Sequence, residues 1–115
     1  MELRKLLVAN RGEIAARIFR ACTDAGIATV AVAAPDDRGA FHTRLAGETV
    51  EIESYLFSEE HIRAAKATDA DAVHPGYGFL AESPDFAESV EAGGLVFVGP
   101  TPEALRQGGD KLEAE

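Results

Sequence analysis

The chain contains the sequence AVHPGYGFL at residues 72–80, which joins a buried-strand pattern to an unusual loop. Pro75 fixes one backbone angle and lacks an N–H donor. Gly76 and Gly78 permit a left-handed backbone and the close approach of a ligand. This pattern favours a ligand-facing loop that presents Tyr77, although a tight strand-to-helix turn whose tyrosine packs on its own loop fits it equally well.

Outward from this loop, short apolar runs alternate with helical patterns along the chain. The apolar runs predict five buried strands, at residues 6–9, 27–33, 49–52, 70–73 and 95–98. Between them, apolar residues spaced three and four apart predict helices. Strands that alternate with helices predict an α/β fold with a doubly wound, mostly parallel five-stranded Rossmann-like sheet.

Capping signals predict where several helices begin. Ser58 is predicted as the N-cap of one helix, and Ser83-Pro84 as the N-cap and first residue of the next. A short helix is predicted at residues 42–46, and further helices are predicted to open at Thr101-Pro102 and at Asp110. The carboxyl ends of parallel strands share one edge, so three unusual loops, 10–12, 74–79 and 99–101, are predicted to lie along it.

Composition excludes several classes of function. A net charge of −9 opposes binding to nucleic acid, which needs a basic surface. The sequence shows neither an apolar run long enough to span a membrane nor a signal peptide. A single cysteine, Cys22, cannot form an internal disulfide, so the cytoplasm is the expected location. No residues have the spacing of a metal site, and no metal ligand is predicted.

Dinucleotide binding is the first hypothesis for such a sheet, with Asp36 or Asp37 as the ribose partner. The loop after the first strand carries Asn10-Arg11-Gly12-Glu13 instead of the three glycines that make room for a pyrophosphate. Residues 108–111 also lack the spacing of a phosphate-binding loop. The sequence therefore disfavours both kinds of nucleotide site.

The sequence contains no complete set of catalytic residues. Cys22 lies on an apolar helical stripe, where a core residue is expected rather than a nucleophile. His74 could act as a base, but a histidine bound by neighbouring backbone is the favoured interpretation. We therefore predict a module that contributes part of a site and carries no catalytic residue of its own.

Five segments together carry a resemblance to a known family. They are VANRGEIA at residues 8–15, residues 33–44 with Asp37, Arg38 and His42, HPGYGFL at residues 74–80, and GPT at 99–101 with GDK at 109–111. Their order and separation resemble the N-terminal domain of biotin carboxylases, which precedes an ATP-grasp domain. This resemblance implies residues 1–109 as that domain and residues 110–115 as the start of a helix leading into an ATP-grasp domain.

The resemblance implies the first half-reaction of a biotin-dependent carboxylase, in which an ATP-dependent ligase carboxylates biotin with bicarbonate and Mg²⁺. It implies that Tyr77 and Gly78 face biotin and that Lys111 contacts the nucleotide phosphates. The implied partners are the ATP-grasp and C-terminal domains, a biotin carboxyl carrier domain and a carboxyltransferase. The isolated domain is expected to be inactive and to bind none of these cofactors tightly.

On the first predicted helix, Arg17, Arg20 and Asp24 lie opposite the apolar stripe. One interpretation is a solvated face with Glu13–Arg17 and Arg20–Asp24 ion pairs. The other follows from the resemblance, because the matching positions of bacterial biotin carboxylases lie at a homodimer interface. Both interpretations stay open.

Three departures from the family pattern are visible. The connection that leads into Tyr55-Leu56 is short, Phe57 replaces a small polar residue, and Glu115 replaces a lysine or apolar residue. Two alternative functions also stay open. One is a stand-alone binding or regulatory module, and the other is the corresponding domain of a carbamoyl phosphate synthetase-like ligase.

Overall fold

The computed structural model describes residues 3–78, 80–99, 104 and 105. Strands and helices alternate along the chain in the order β1 (Lys5–Val8), α1 (Gly12–Asp24), β2 (Ala28–Ala33), α2 (Phe41–Leu45), β3 (Glu48–Glu51), α3 (Ser58–Ala67), β4 (Ala72–His74), α4 (Pro84–Ala92) and β5 (Val96–Phe97). Short 3-10 turns lie at Pro35–Asp37 and Leu80–Glu82.

The five strands form one sheet in the order β3-β2-β1-β4-β5, and every pair is parallel. Central strand β1 pairs on both sides, so that Leu7 lies beside Val30 of β2 and Val73 of β4. From β1 the chain adds β2 and β3 on one side, and it then crosses over to add β4 and β5 on the other side. The direction in which strands are added therefore reverses at the β1–β4 boundary. This topology confirms the predicted α/β fold, and it creates a crevice where the loops after β1 and β4 diverge.

Both faces of the sheet are covered, which explains why the strands are continuously apolar. On one face the strand side chains pack against α1, as in the cluster formed by Leu6, Val8, Ala15, Phe19 and Cys22. On the other face they pack against α3 and α4, as in the cluster formed by Leu7, Val30, Val73, Ala64 and Phe86. Cys22 is a buried free cysteine, as its apolar stripe predicts, and burial raises its pKa.

The buried face of α3 contains a histidine, His61, although the apolar spacing of the sequence favours Ile62 as the core residue. His61 is fully buried, and its Nε2 lies 2.8 Å from the backbone oxygen of Tyr55. Its ring stacks on that of Tyr55 and meets the edge of Phe86. Among the described residues, the second ring nitrogen, Nδ1, has no hydrogen-bond partner, and burial lowers the His61 pKa. These contacts are typical of a neutral ring that donates from Nε2.

The two predicted N-caps had different outcomes. Ser83 is confirmed, since its hydroxyl accepts a hydrogen bond from the Phe86 N–H at 3.2 Å. The prediction for Ser58 was wrong, because Ser58 is the first helical residue and Phe57 occupies the N-cap position without a side-chain hydrogen bond. The Glu60 carboxylate instead accepts from the Glu53 N–H at 3.0 Å, which ties the short connection to the first turn of α3.

Several predicted boundaries shift by one or two residues. The helix predicted at 42–46 spans Phe41–Leu45, and the strand predicted at 49–52 spans Glu48–Glu51. Of the helix predicted from Thr101, residues 104 and 105 are helical, while the rest of it and residues 110–115 lie outside the described residues. None of the described helices is long and apolar enough to cross a membrane.

Candidate ligand site at the carboxyl edge of the sheet

The candidate site lies where β1 and β4 end side by side at the reversal in strand order. Their pairing continues one step beyond the strands, because the Ala9 N–H donates to the His74 oxygen at 2.8 Å. Beyond this bond the chain after β1 turns into α1, while the chain after β4 enters the glycine loop. The predicted neighbourhood of loops 10–12 and 74–78 is therefore confirmed.

The first polar group of the site is the Asn10 cluster, formed by Asn10, His74, Pro75, Gly76 and Tyr77. The Asn10 Nδ2 donates to the backbone oxygens of Pro75 at 3.0 Å and Tyr77 at 2.8 Å. Within the loop, the Gly76 N–H donates to His74 Nδ1 at 2.9 Å. His74 is thus bound by neighbouring backbone, as its sequence context favoured, and burial lowers its pKa.

Tyr77 and Gly78 lie at the outer tip of this loop. Tyr77 is 71% exposed, so it is presented to solvent instead of packing on its own loop. Gly78 has a φ of +105°, a conformation that favours glycine. The backbone N–H groups of Tyr77 and Gly78 donate no hydrogen bond to any of the described residues. The tip therefore offers an aromatic face and unpaired donors.

Two clefts meet at Tyr77. The smaller, of about 140 Å³, is lined by Ala9, Asn10, Arg11, Tyr55, Leu56, Tyr77 and Leu80. The larger, of about 370 Å³, runs along α1 and is lined mainly by apolar side chains, with Arg17 and His74 among its walls. A volume of 140 Å³ suits one small ring better than a whole nucleotide, because sites for drug-sized ligands are larger.

The second polar group is the Asp37 cluster, formed by Arg11, Asp37 and Tyr55. The Arg11 guanidinium donates through Nε at 2.6 Å and Nη2 at 2.7 Å to the two carboxylate oxygens of Asp37. The Tyr55 hydroxyl donates to the same carboxylate at 2.6 Å and accepts from the Ala34 N–H at 3.3 Å. This cluster fixes the wall of the small cleft that faces Tyr77.

Electrostatics within the Asp37 cluster favour the charged pair. Hydrogen bonding from Arg11, opposed by burial and supported by Tyr55, lowers the pKa of Asp37 to about 2. Burial and the neighbouring Asp37 carboxylate raise the pKa of Tyr55 to about 12. Asp37 is thus a buried anion held by two side chains. Since it is not presented to a ribose, its contacts support the sequence argument against a dinucleotide site.

Sequence reasoning missed both clusters as units. Asn10 and Arg11 were recognised as an unusual loop, but nothing local indicates that Asn10 reaches residues 75 and 77 or that Arg11 reaches Asp37. Tyr55 gave no signal of its own, because its hydroxyl partner lies 18 positions away. Only the predicted adjacency of strand ends could have suggested such contacts.

The predicted α1 surface is present, but its ion pairs are wrong. Arg17, Arg20 and Asp24 are all exposed. Arg20 Nη1 lies 3.7 Å from Glu13 Oε1, and the guanidinium stacks over the exposed ring of Phe41, with Cζ 5.7 Å from the ring centroid. Arg20 therefore does not pair with Asp24. In the described part of the chain, Glu13–Arg17 is not an ion pair either, because Glu13 faces Arg20.

Two further predictions concern bound groups. Lys111, the predicted nucleotide contact, lies outside the described residues. Within the residues that are described, no group of three or more histidine, cysteine or acidic side chains could hold a metal ion.

A comparison with protein families identifies this arrangement. The sequence pattern of the family described as "Biotin carboxylase, N-terminal domain" matches residues 2–105. The chain belongs to the biotin carboxylase N-terminal domain family. The resemblance seen in the sequence motifs is therefore confirmed, and the loop that carries Tyr77 is part of this family's domain.

Individual proteins agree with the family. The chain is 54% identical to biotin carboxylase of Pseudomonas aeruginosa over 119 residues, covering 98% of this chain and 26% of that protein. It is 47% identical to human mitochondrial pyruvate carboxylase, covering 97% of this chain and 10% of that protein. The crystal structure of a complete multifunctional pyruvate carboxylase from Rhizobium etli matches 93% of this chain and 12% of its own, with 44% identity and a TM-score of 0.91.

These matches also show how much of each relative the chain covers. The chain spans between a tenth and about a quarter of the length of these relatives. The biotin carboxylase N-terminal domain is thus one part of each of those proteins. The match also favours a biotin carboxylase domain over the carbamoyl phosphate synthetase-like alternative.

Proposed function

We propose that the chain serves as the N-terminal domain of a biotin carboxylase component, which carboxylates biotin with ATP and bicarbonate. Its membership of the biotin carboxylase N-terminal domain family supports this function. The observation that carries it is the loop tip at Tyr77 and Gly78, which is exposed beside a small cleft at the reversal in strand order. Such a position is where open α/β sheets bind ligands.

Tyr77 and Gly78 form the proposed wall for biotin. The ureido ring of biotin is a small flat heterocycle with both hydrogen-bond donors and an acceptor. An exposed aromatic face can pack on such a ring, and an unpaired backbone N–H can bind its carbonyl oxygen. The cleft volume of about 140 Å³ matches one ring of this size. In this proposal the domain binds and orients the substrate, and it supplies no catalytic side chain.

ATP and Mg²⁺ are proposed to bind mostly outside this domain. Lys111 is the proposed contact to the nucleotide phosphates, where its ammonium would stabilise their negative charge. Residues 1–109 form the proposed domain, and residues 110–115 begin the connection to an ATP-grasp domain. The other proposed partners are a C-terminal domain, a biotin carboxyl carrier domain and a carboxyltransferase, with the cytoplasm as the compartment.

The exposed α1 surface is the proposed homodimer contact. Arg17, Arg20 and Asp24 offer both signs of charge on one helix, and the neighbouring Phe41 ring is 56% exposed. A two-fold interface can pair such a surface with itself, because opposite charges then face each other. Sedimentation of an Arg20→Glu variant of the full-length protein tests this contact, since a charge reversal should shift it towards monomers.

The central proposal is tested by measuring ATP hydrolysis in the presence of bicarbonate and free biotin. We expect the full-length protein to hydrolyse ATP in a manner that requires both compounds, and the 115-residue chain alone to be inactive. Full activity of the isolated chain would contradict the claim that its site is incomplete. A full-length protein without biotin-dependent hydrolysis would contradict the function itself.

A further inference from the structure

We propose that Asn10 is a positioning residue, whose side-chain amide sets the conformation in which loop 74–78 presents Tyr77. The inference rests on the proposed function, because it takes this loop as the wall that faces biotin. It adds a residue from the opposite side of the crevice, since Asn10 follows β1 while the loop follows β4.

The hydrogen bonds of Asn10 use the whole amide group. Both hydrogens of Nδ2 are directed at the loop, to the backbone oxygens of Pro75 and Tyr77. On the other side, Oδ1 accepts from the Arg11 N–H at 2.8 Å. Among side chains of this length, an asparagine amide combines two donors with an acceptor. Because both amide hydrogens are engaged by the loop, Asn10 acts on a ligand through the loop.

Gly76 completes the arrangement. The loop wraps so closely around the amide that a Cβ on Gly76 would lie 2.9 Å from the Cβ of Asn10 and closer still to its Nδ2. The φ of Gly76 is +69°, which also favours glycine. Two separate constraints thus select glycine at this position, and one of them is contact with Asn10.

The Tyr77 ring contributes little to holding its own loop. Tyr77 is 71% exposed, whereas the backbone oxygens on either side of Gly76 are bound to Asn10. The ring direction is therefore set by backbone geometry, and that geometry is anchored across the β1–β4 boundary. Removing the anchor should loosen the tip while leaving the sheet intact, because loops open locally at a lower free energy than the core.

The test uses Asn10→Asp in the full-length protein. This isosteric variant keeps an acceptor for the Arg11 N–H but replaces both loop donors with a carboxylate oxygen that opposes two carbonyls. We expect hydrogen exchange of the Gly76 amide, whose N–H donates to His74 Nδ1 within the loop, to accelerate by about tenfold or more. We also expect the KM for free biotin to rise by about fivefold to tenfold, with kcat and the KM for ATP changed by less than about twofold.

A glycine pair supplies an independent variant and its control. Gly76→Ala should lower the protection of the residue 76 amide against exchange, because it forces the loop away from Asn10. Gly26→Ala carries a similar backbone cost at a φ of +76°, but its added Cβ meets no atom within 4 Å. It should leave exchange of the Gly76 amide unchanged. If Asn10→Asp does not fold, the two glycine variants alone decide the question.

The outcomes separate this inference from the proposed function. Faster loop exchange together with a higher KM for biotin supports both. Faster loop exchange with an unchanged KM supports the positioning role of Asn10 and contradicts biotin binding at Tyr77. Unchanged exchange of the Gly76 amide in Asn10→Asp, or equal effects of Gly76→Ala and Gly26→Ala on the amide of residue 76, overturns the inference whatever the KM.

Discussion

The Asp37 cluster and the Asn10 cluster border the same small cleft, yet they hold its walls by different chemistry. In the first, a carboxylate with a side chain only 7% exposed receives charge-assisted hydrogen bonds from Arg11 and a further one from Tyr55. In the second, a neutral amide binds two backbone oxygens of an exposed loop. One cluster joins three side chains from distant segments, and the other shapes a single segment.

This difference separates stability from ligand binding. Charge-assisted bonds to a buried group contribute more than neutral ones, and losing a partner leaves the buried charge unsatisfied. The Asp37 cluster should therefore contribute to the free energy of unfolding of the whole domain. The Asn10 cluster should control the loop tip, where exposed backbone opens without unfolding the core.

The largest effect is expected when the Asp37 cluster is broken by Arg11→Ala. This variant leaves a buried carboxylate with one partner, Tyr55, and we expect the free energy of unfolding to fall by about 2 to 3 kcal/mol. Urea denaturation at neutral pH measures the change. Arg38→Ala is the matched control, because its ion pair with Glu51 is exposed on both sides and should contribute less than about 1 kcal/mol. Equal losses in the two variants would contradict a special role for Asp37.

Acid should abolish the same contribution. The folded-state pKa of Asp37 is about 2, below the value of about 4 in an unfolded chain. Its stabilisation, on the order of 2 kcal/mol, is therefore fully present above pH 4 and is lost as the pH falls through 2. The difference in unfolding free energy between the native protein and Arg11→Ala should close over this range. A difference that is constant from pH 5 to pH 2 would contradict this prediction.

Much of the fold could be predicted because its signals are local. Continuous apolar runs indicate strands covered on both faces, and Ser83-Pro84 indicates a helix start within three residues. The Ser58 prediction failed although Ser is a favourable cap, because α3 begins at Ser58 itself and Phe57 occupies the N-cap position. Where a helix begins also depends on how the preceding chain enters it, which propensity does not describe.

The location of the candidate site could be predicted from the sequence, but its hydrogen bonds could not. Loop 74–78 has an unusual composition that marks it without any structure. The pairing of Arg11 with Asp37 spans 26 positions, and that of Asn10 with Tyr77 spans 67. Such contacts depend on which strands are neighbours and on side-chain reach. Glu13 and Arg20 illustrate the same limit, because Phe41 of another helix attracts Arg20 away from its predicted partner.

A smaller effect should follow from Tyr55→Phe, which sharpens the comparison within the Asp37 cluster. The variant removes the hydrogen bond to Asp37 and the acceptor of the Ala34 N–H, but it keeps the Arg11 pair and the ring packing against His61. We expect the free energy of unfolding to fall by about 1 to 2 kcal/mol, the contribution of two hydrogen bonds and less than in Arg11→Ala. Thermal unfolding followed by circular dichroism checks this value. A loss as large as that of Arg11→Ala would contradict the claim that Arg11 is the main partner of Asp37.

The smallest expected effect concerns His61, which lies outside both clusters. Its replacement should change how steeply the free energy of unfolding depends on pH. Burial holds its folded-state pKa below the unfolded value of about 6.5, so its stability contribution is present above that pH and declines as the pH falls below it. His61→Leu should reduce the fall in unfolding free energy between pH 7 and 5. His74, with a pKa also lowered by burial, should retain a fall of the same sign. An unchanged slope in His61→Leu would contradict the assignment to His61.

The most direct test of the central claim is the KM for free biotin of Tyr77→Ala in the full-length protein. Tyr77 forms the exposed wall of the small cleft, whereas Phe57 is a 45% exposed aromatic that does not line it and provides the matched control. We predict that Tyr77→Ala raises this KM about tenfold, a loss of about 1.4 kcal/mol in binding, while Phe57→Ala leaves it unchanged. An unchanged KM in Tyr77→Ala would contradict the assignment of this loop to biotin.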